Sequence, residues 1–234
     1  MISRAPSPLQ SGSMGYALRP GLHFCLSEGR VVLLDLDADR YFALSDPVNN
    51  AFIALANEGA ETTGLASLAP LIKRRILVRA DRDDEQLTIK YAEAPTSELD
   101  RPRSPAPMAL VGAALVSEAA AAWQTRKKPL MSIVTDIQRM RTSLDRHPKR
   151  RAAPELGLLV AASFRTDYLI SRSDYCLRRS VALIYLMARY RMFPSLVIGV
   201  RARPFAAHCW VQVDGMILND SFDRVRTYSP ILVV

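Results

Sequence analysis

Residues 207–220, with the sequence AHCWVQVDGMILND, contain the most informative pattern in the C-terminal half of the chain. Two apolar runs flank Asp214-Gly215, a dipeptide that is typical of tight turns between paired strands. The segment therefore predicts a β-hairpin, and residues 195–202 predict a further strand just upstream of it.

The loop length of this hairpin determines which side chains face each other. With a two-residue loop at Asp214-Gly215, Cys209 would lie opposite Asp220. With a three-residue loop, Val213-Asp214-Gly215, His208 would lie opposite Asp220, and directly paired β-carbons are about 5 Å apart. We expect the three-residue loop because glycine suits its last position, and we therefore predict a His208–Asp220 contact.

A cysteine begins the helix that is expected upstream of the hairpin. Cys176 follows Ser173 and Asp174, either of which is a good N-cap, and apolar residues then recur at helical spacing as far as Ala188. The first N–H groups of a helix stabilise a thiolate, and Arg178 and Arg179 add positive charge nearby. A buried structural cysteine is the alternative that the position alone leaves open.

Together, Cys176, His208 and Asp220 are the residue types of a thiol nucleophile system. Cys176 would attack a carbonyl, His208 would move the proton and Asp220 would orient the imidazole, while the backbone N–H of Cys176 is a natural oxyanion donor. Asp223 is a second candidate for the acidic residue that orients the imidazole. Hydrolysis and acyl transfer to an amine need the same residues, so both reactions remain open.

A zinc site would have to use Cys176, His208 and Cys209. Adjacent residues of a strand point to opposite faces, which argues against His208 and Cys209 binding one ion. We therefore expect no metal and no bound cofactor.

The composition of the chain excludes several classes of protein. The chain has 234 residues, 49% of them hydrophobic, and its three cysteines favour a reducing compartment over a disulfide scaffold. The longest apolar run, residues 106–116, is too short to cross a bilayer, and the N-terminus lacks the apolar region of a secretory signal. We expect a soluble cytoplasmic protein.

The sequence of the N-terminal half indicates a separate small module. Residues 22–26, 30–36 and 40–44 predict three short strands, and helices are expected to follow. Such a winged-helix-like module could bind DNA, but residues 1–100 carry a net charge of −4 against +12 for the remainder, which argues against phosphate contacts. A proline-rich stretch at 93–107 indicates a linker.

These observations predict an α+β protein of two domains. The expected boundaries are a flexible tail at 1–15, the small strand-then-helix domain at 16–85, a linker at 86–107 and a second α+β domain at 108–234.

The motifs of the C-terminal half resemble those of the lasso-peptide biosynthesis B proteins. The similarity lies in CLRRSVAL from Cys176, in HCWV from His208, in Asp214-Gly215 and in Asn219-Asp220. The resemblance implies a transglutaminase-like, papain-like cysteine protease domain with Cys176, His208 and Asp220 as its catalytic residues. The family commonly has alanine where this chain has Cys209.

The N-terminal module resembles the PqqD-like leader-recognition domain of the same family. The resemblance implies that a precursor's leader peptide adds as a strand beside residues 40–44 and packs against the last helix. By position, the leader-binding residues would be Arg40, Tyr41, Phe42, Ala43, Leu44, Leu71, Ile72 and Arg75.

The resemblance also implies an activity and two partners. The protein would remove the leader of a lasso precursor peptide, and an ATP-dependent, asparagine-synthetase-like cyclase would then close the macrolactam, with any need for ATP arising in that cyclase. The alternative is a leader-binding scaffold or chaperone for the cyclase with little peptidase activity of its own.

Overall fold

The computed structural model of the chain describes residues 15–58, 65–80, 87, 95–100, 105–145, 154–167 and 176–234. These residues form a mixed α+β protein with N-terminal strands followed by helices, which confirms the predicted fold class. No helix in these ranges combines the length and the apolar character that a bilayer crossing needs.

The helices and strands of the described residues are, in chain order, β1 (Gly15–Leu18), β2 (Leu22–Ser27), β3 (Arg30–Asp35), β4 (Arg40–Ala43), α1 (Asp46–Glu58), α2 (Leu65–Lys73), β5 (Leu77–Ala80), β6 (Ser97–Glu98), α3 (Met108–Lys127), α4 (Leu130–Asp145), α5 (Leu156–Asp167), α6 (Cys176–Ala188), β7 (Ser195–Arg201), β8 (Ala206–Val213), β9 (Met216–Ile217), α7 (Phe222–Val225) and β10 (Ser229–Val233).

The chain divides into two compact units. One contains the described residues before 23 and those from 44 to 89, and the other contains residues 23–43 and those from 90 onward. The strands at 23–43 therefore group by contacts with the C-terminal part of the chain, although the sequence assigns them to the domain 16–85. Most of the predicted tail and parts of the predicted linker lie outside the described residues.

The first unit combines a two-stranded sheet with α1 and α2. β1 pairs antiparallel with β5, a strand that the sequence analysis did not predict. α2 ends because Arg75 adopts a left-handed φ of 54°, and the N–H groups of Arg75 and Ile76 bond back to Ile72 and Leu71. This Schellman turn stops the helix and lets β5 begin at Leu77.

The second unit contains two sheets. β2, β3 and β4 form an antiparallel sheet in the order β2-β3-β4, and a turn at Glu28 and Gly29, with φ of 50° and 76°, joins its first two strands. The larger sheet has the order β10-β7-β8-β9-β6. Its edge strand β6 lies inside the predicted linker and pairs parallel with β9, and β10 was also not predicted.

The main hydrophobic core belongs to the second unit. α3, α5 and α6 pack together, and α6 also packs on β8. Buried residues of these helices pack in one cluster with buried residues of β7 and β10. The same cluster includes four residues from the N-terminal strands and the turn after β3: Cys25, Val32, Leu34 and Leu36. This core fixes the start of α6 beside the middle of β8.

Candidate active site

Cys176 is the first residue of α6, and its side chain is half-buried. The helix follows the predicted spacing and ends at Ala188 before Pro194. The first N–H groups of a helix have no partner within it, so they can stabilise a thiolate at this position. The predicted N-cap residues, Ser173 and Asp174, lie outside the described residues.

The surroundings of Cys176 favour its ionised form. Its pKa is lowered from 9.0 to about 4, first by a hydrogen bond with the Cys209 thiol. Burial acts in the opposite direction, but a hydrogen bond and positive charge from His208 and a bond from the Cys209 backbone add to the lowering. Cys176 is therefore a thiolate at neutral pH.

His208 lies on β8 opposite Gly199 of β7 and is only 5% exposed. Its ring centroid is 6.3 Å from that of Trp210 and 5.2 Å from that of Tyr228. Nε2 of His208 is 2.5 Å from Oδ2 of Asp220, so the predicted contact between these two side chains is present. The aromatic neighbours and the carboxylate together hold the imidazole in one orientation.

The protonation of His208 follows from these contacts. Burial lowers the pKa of His208, but hydrogen bonds with Asp220 and Cys176 and their negative charges raise it above 6.5 on balance. Since Nε2 faces Asp220, Nδ1 is the ring nitrogen available to Cys176. A thiolate and an imidazolium can therefore coexist as an ion pair here.

Asp220 is held as a carboxylate. Burial raises its pKa, but hydrogen bonds from His208 and from the Ser221 backbone N–H, the latter 2.8 Å long, lower it below 3.8 on balance. Asp223, the second candidate for this position, has an 87% exposed side chain and pairs with Arg226 at 3.3 Å. The structure therefore brings Asp220 to His208 and leaves Asp223 facing solvent.

The predicted three-residue loop of the hairpin is wrong. Val213 pairs with Met216, so the loop contains only Asp214 and Gly215. Both have positive φ, 47° and 77°, as a type I′ turn requires. This turn matches the right-handed twist of the flanking strands, and that advantage outweighs the preference for glycine at the end of a three-residue loop.

The His208–Asp220 contact forms for a different reason from the predicted one. In the observed register, continued pairing would put Cys209 opposite Asp220. However, β9 ends at Ile217, and the last backbone bond runs from the Leu218 N–H to Val211. The chain then leaves the sheet and bends, and the bend carries Asp220 to His208.

Cys209 has a part in the site that the sequence analysis missed. It is 4% exposed, and its thiol and its backbone both bond to Cys176. Burial and then its bond with the Cys176 thiolate raise the pKa of Cys209 well above 9.0, so it stays a neutral donor. Strand alternation suggested that His208 and Cys209 would face apart, and only the position of α6 brings Cys176 within reach of both.

Arg178 contributes less to the site than its proximity in sequence suggests. Its Nε lies 3.0 Å from Oε2 of Glu118 on α3, and both side chains are largely buried, at 12% and 5% exposure. Glu118 therefore compensates the charge that the sequence analysis assigned to the surroundings of Cys176. The ion pair joins α3 to the first turn of α6.

The leader-binding candidates of the second unit lie on β4, which forms one edge of its sheet among the described residues: Arg40, Tyr41, Phe42 and Ala43. Tyr41 packs against the main core and lies 5.7 Å, ring to ring, from Phe205. Burial raises the pKa of Tyr41, and the nearby negative charges of Asp39 and Cys176 add to this effect. Tyr41 is thus close to the Cys176 site.

The other leader-binding candidates belong to the first unit. Leu44 and Leu71 are each 5% exposed and contribute to its core, whereas Ile72 is half-buried. Arg75 occupies the turn that ends α2. Within the described ranges, no group of three or more histidine, cysteine or acidic side chains is arranged to hold a metal ion.

Comparisons with known proteins identify the family of the C-terminal part of the chain. A sequence profile described as the transglutaminase-like superfamily matches residues 115–233. The chain is also 44% identical over 52 residues to the microcin J25-processing protein McjB of Escherichia coli, and this segment is 22% of the chain and 24% of McjB. The chain thus matches less than a quarter of the length of that relative. The two similarities confirm the resemblance to the lasso-peptide biosynthesis B proteins. No solved structure matches significantly.

Proposed function

Because the chain belongs to the transglutaminase-like superfamily, we propose that it is a cysteine peptidase that removes the leader from a ribosomally made lasso-peptide precursor. The observation that carries the proposal is the Cys176 thiolate, with a pKa of about 4, beside a histidine that is hydrogen-bonded to Asp220. The name of McjB, a microcin J25-processing protein, supports a precursor peptide as the substrate.

The first half of the reaction uses the ion pair as it stands. The Cys176 thiolate attacks the scissile carbonyl carbon, and the backbone N–H of Cys176 would donate a hydrogen bond to the oxyanion. In its protonated form, His208 gives its proton to the leaving amine as the C–N bond breaks. The leader's carbonyl carbon is then held as a thioester on Cys176, and the amine leaves as the new N-terminus of the core peptide.

The second half releases the leader. Neutral His208 takes a proton from water, the resulting hydroxide oxygen attacks the thioester, and the C–S bond breaks to regenerate the thiolate. Asp220 keeps the imidazole oriented and stabilises its protonated form at both stages. An amine in place of water would turn the same intermediate into a transamidation product.

Leader recognition is the second part of the proposal. Among the residues that the structure describes, β4 lies at a sheet edge, where a peptide strand can add through backbone hydrogen bonds. Tyr41 connects this edge to the surroundings of Cys176, which supports recognition and cleavage being close together. The partner that consumes the product would be a macrolactam cyclase acting on the freed N-terminus, and the site of action would be the cytoplasm.

The test uses the cognate precursor peptide, the cyclase and ATP, with mass spectrometry as the readout. We expect wild type to release the leader and Cys176→Ala to lower the cleavage rate by at least about 10³-fold while binding a fluorescent leader peptide unchanged. Phe42→Ala, at the sheet edge, should weaken leader binding about tenfold. Equal maturation by wild type and Cys176→Ala would instead support a scaffold.

A further inference from the structure

The three elements that carry Cys176, His208 and Asp220 are joined by one set of hydrogen bonds. Ser180, one helical turn after Cys176 and fully buried, donates its hydroxyl proton to the carbonyl oxygen of Cys209 over 3.4 Å. The same hydroxyl accepts a 3.0 Å bond from Nδ2 of Asn219. The helix that begins with Cys176 is thus tied to the strand at His208 and to the residue before Asp220.

Asn219 also replaces a missing strand partner. Its Oδ1 accepts a 2.8 Å bond from the Val211 N–H, at the point where β9 has ended. In a continued antiparallel ladder, a backbone carbonyl would take that N–H. The side chain of Asn219 satisfies it instead, so the backbone is free to bend and deliver Asp220 to His208.

The orientation of the Asn219 amide follows from its two partners. The Val211 N–H needs an acceptor, which must be Oδ1, and Nδ2 is then directed to the Ser180 oxygen. Ser180 donates its one hydroxyl proton to the Cys209 carbonyl, so each donor in this set of hydrogen bonds has an acceptor. Networks in which every hydrogen bond is satisfied in this way hold a single geometry.

We propose that Asn219 and Ser180 are positioning residues that set the distance between Cys176 and the His208–Asp220 pair. The proposal rests on the proposed peptidase function for its kinetic consequence, but its structural consequence is measurable without a substrate. Loss of either side chain would let the start of α6 shift relative to the Cys209 backbone, and that backbone bonds to Cys176.

The substrate-free measurement is the rate of Cys176 alkylation by iodoacetamide as a function of pH, read at the Cys176 peptide by mass spectrometry. We expect Asn219→Ala and Ser180→Ala each to raise the midpoint of this profile by at least about one pH unit toward that of a free thiol. Ser117→Ala is the matched control, because Ser117 is a buried helical serine whose hydroxyl bonds to Ala113 of its own helix, α3. It should leave the midpoint unchanged.

The kinetic measurement is leader cleavage by the same variants. We expect kcat to fall about 10- to 100-fold for Asn219→Ala and Ser180→Ala, with KM within about threefold of wild type, because misplacement affects the reacting atoms and not leader binding. The double variant should lose less than the product of the two single losses, since both variants break one network.

The outcomes separate the two proposals. If folded Ser180→Ala and Asn219→Ala keep both the wild-type midpoint and the wild-type kcat, the positioning role is overturned. If wild type cleaves no precursor but the midpoint shifts as expected, the positioning role stands and the peptidase function fails. If Asn219→Ala does not fold, Ser180→Ala still tests the positioning role, because this variant keeps the Asn219 bond to Val211.

Discussion

The ion pair between Cys176 and His208 depends on hydrogen bonds and charges from a few individual residues. The pKa of Cys176 is about 4, whereas contacts with Asp220 and Cys176 raise the pKa of His208 above 6.5. The reactive combination of thiolate and imidazolium therefore exists between these two values. Activity should rise as the pH increases through about 4 and should fall once the pH exceeds the raised pKa of His208.

Asp220→Asn tests the source of this pH window. The variant removes a charge that raises the pKa of His208, so the basic limb of the kcat/KM profile should move to lower pH and the maximum should fall by about 10²- to 10⁴-fold. Asp223→Asn, at an 87% exposed side chain, is the control and should leave the profile unchanged. An unshifted basic limb in Asp220→Asn would contradict the assigned role.

Gly199 lies opposite His208 because nothing larger fits there. A β-carbon at this position would lie 2.8 Å from a Trp210 ring carbon and 2.9 Å from Cβ of Tyr228, the two residues that pack on the His208 ring. Gly199→Ala should therefore lower the free energy of unfolding by about 1–3 kcal/mol and also reduce activity.

Gly112 supplies the matched control for this substitution. It lies inside α3, and an added β-carbon there would meet no atom within 4 Å. Gly112→Ala should raise the free energy of unfolding by about 0.5–1 kcal/mol in urea denaturation, because alanine loses less entropy in a helix. A Gly199→Ala protein as stable as wild type would contradict the close packing described for the His208 ring.

At the scale of elements, the buried Glu118–Arg178 pair joins α3 to α6. Glu118→Leu would leave the guanidinium buried without this carboxylate, and we expect a loss of about 3–5 kcal/mol in urea unfolding. The double variant Glu118→Leu/Arg178→Met should recover most of that loss.

The partly exposed pair Lys128–Asp136 is the comparison, and Lys128→Ala should lower the free energy of unfolding by at most about 1 kcal/mol. Equal losses at the two pairs would refute the difference in burial as the cause.

Elements with a strong local pattern were predictable, and elements defined by a distant partner were not. α6 and β8 have clear periodicity, and the structure confirms both. β5, β6 and β10 are short and exist because β1, β9 and β7 lie beside them. No window of sequence contains that information, because backbone pairing requires both strands to be present.

At the scale of the whole molecule, the N-terminal strands complete the core around the candidate active site. Ser27 donates its hydroxyl proton to the Val200 carbonyl over 3.4 Å, and Cys25 bonds to the Ser229 carbonyl. Val32 and Leu34 belong to the same buried cluster as α6. The part of the chain that the sequence assigns to leader recognition thus also supports the fold of the second unit.

A truncated chain tests this dependence. A fragment of residues 86–234 would lack residues 23–43 and would expose the apolar surface that those strands cover. We expect it to bind the dye ANS strongly and to unfold at a lower temperature than a fragment of residues 23–234. A fragment 86–234 that unfolds at the same temperature and binds no dye would show that the strands are dispensable for folding.

Local sequence was sufficient to predict the α+β class, the helix that begins at Cys176 and the hairpin around Asp214-Gly215. These features depend on hydrophobic periodicity and turn chemistry, which act over a few residues. Tertiary packing was needed to establish the bend held by Asn219 that brings Asp220 to His208, the bond between Cys209 and Cys176 and the grouping of residues 23–43 with the second unit. Each of these depends on side chains that are distant in sequence and meet only when the core packs, and packing energy outweighs local preference where the two disagree.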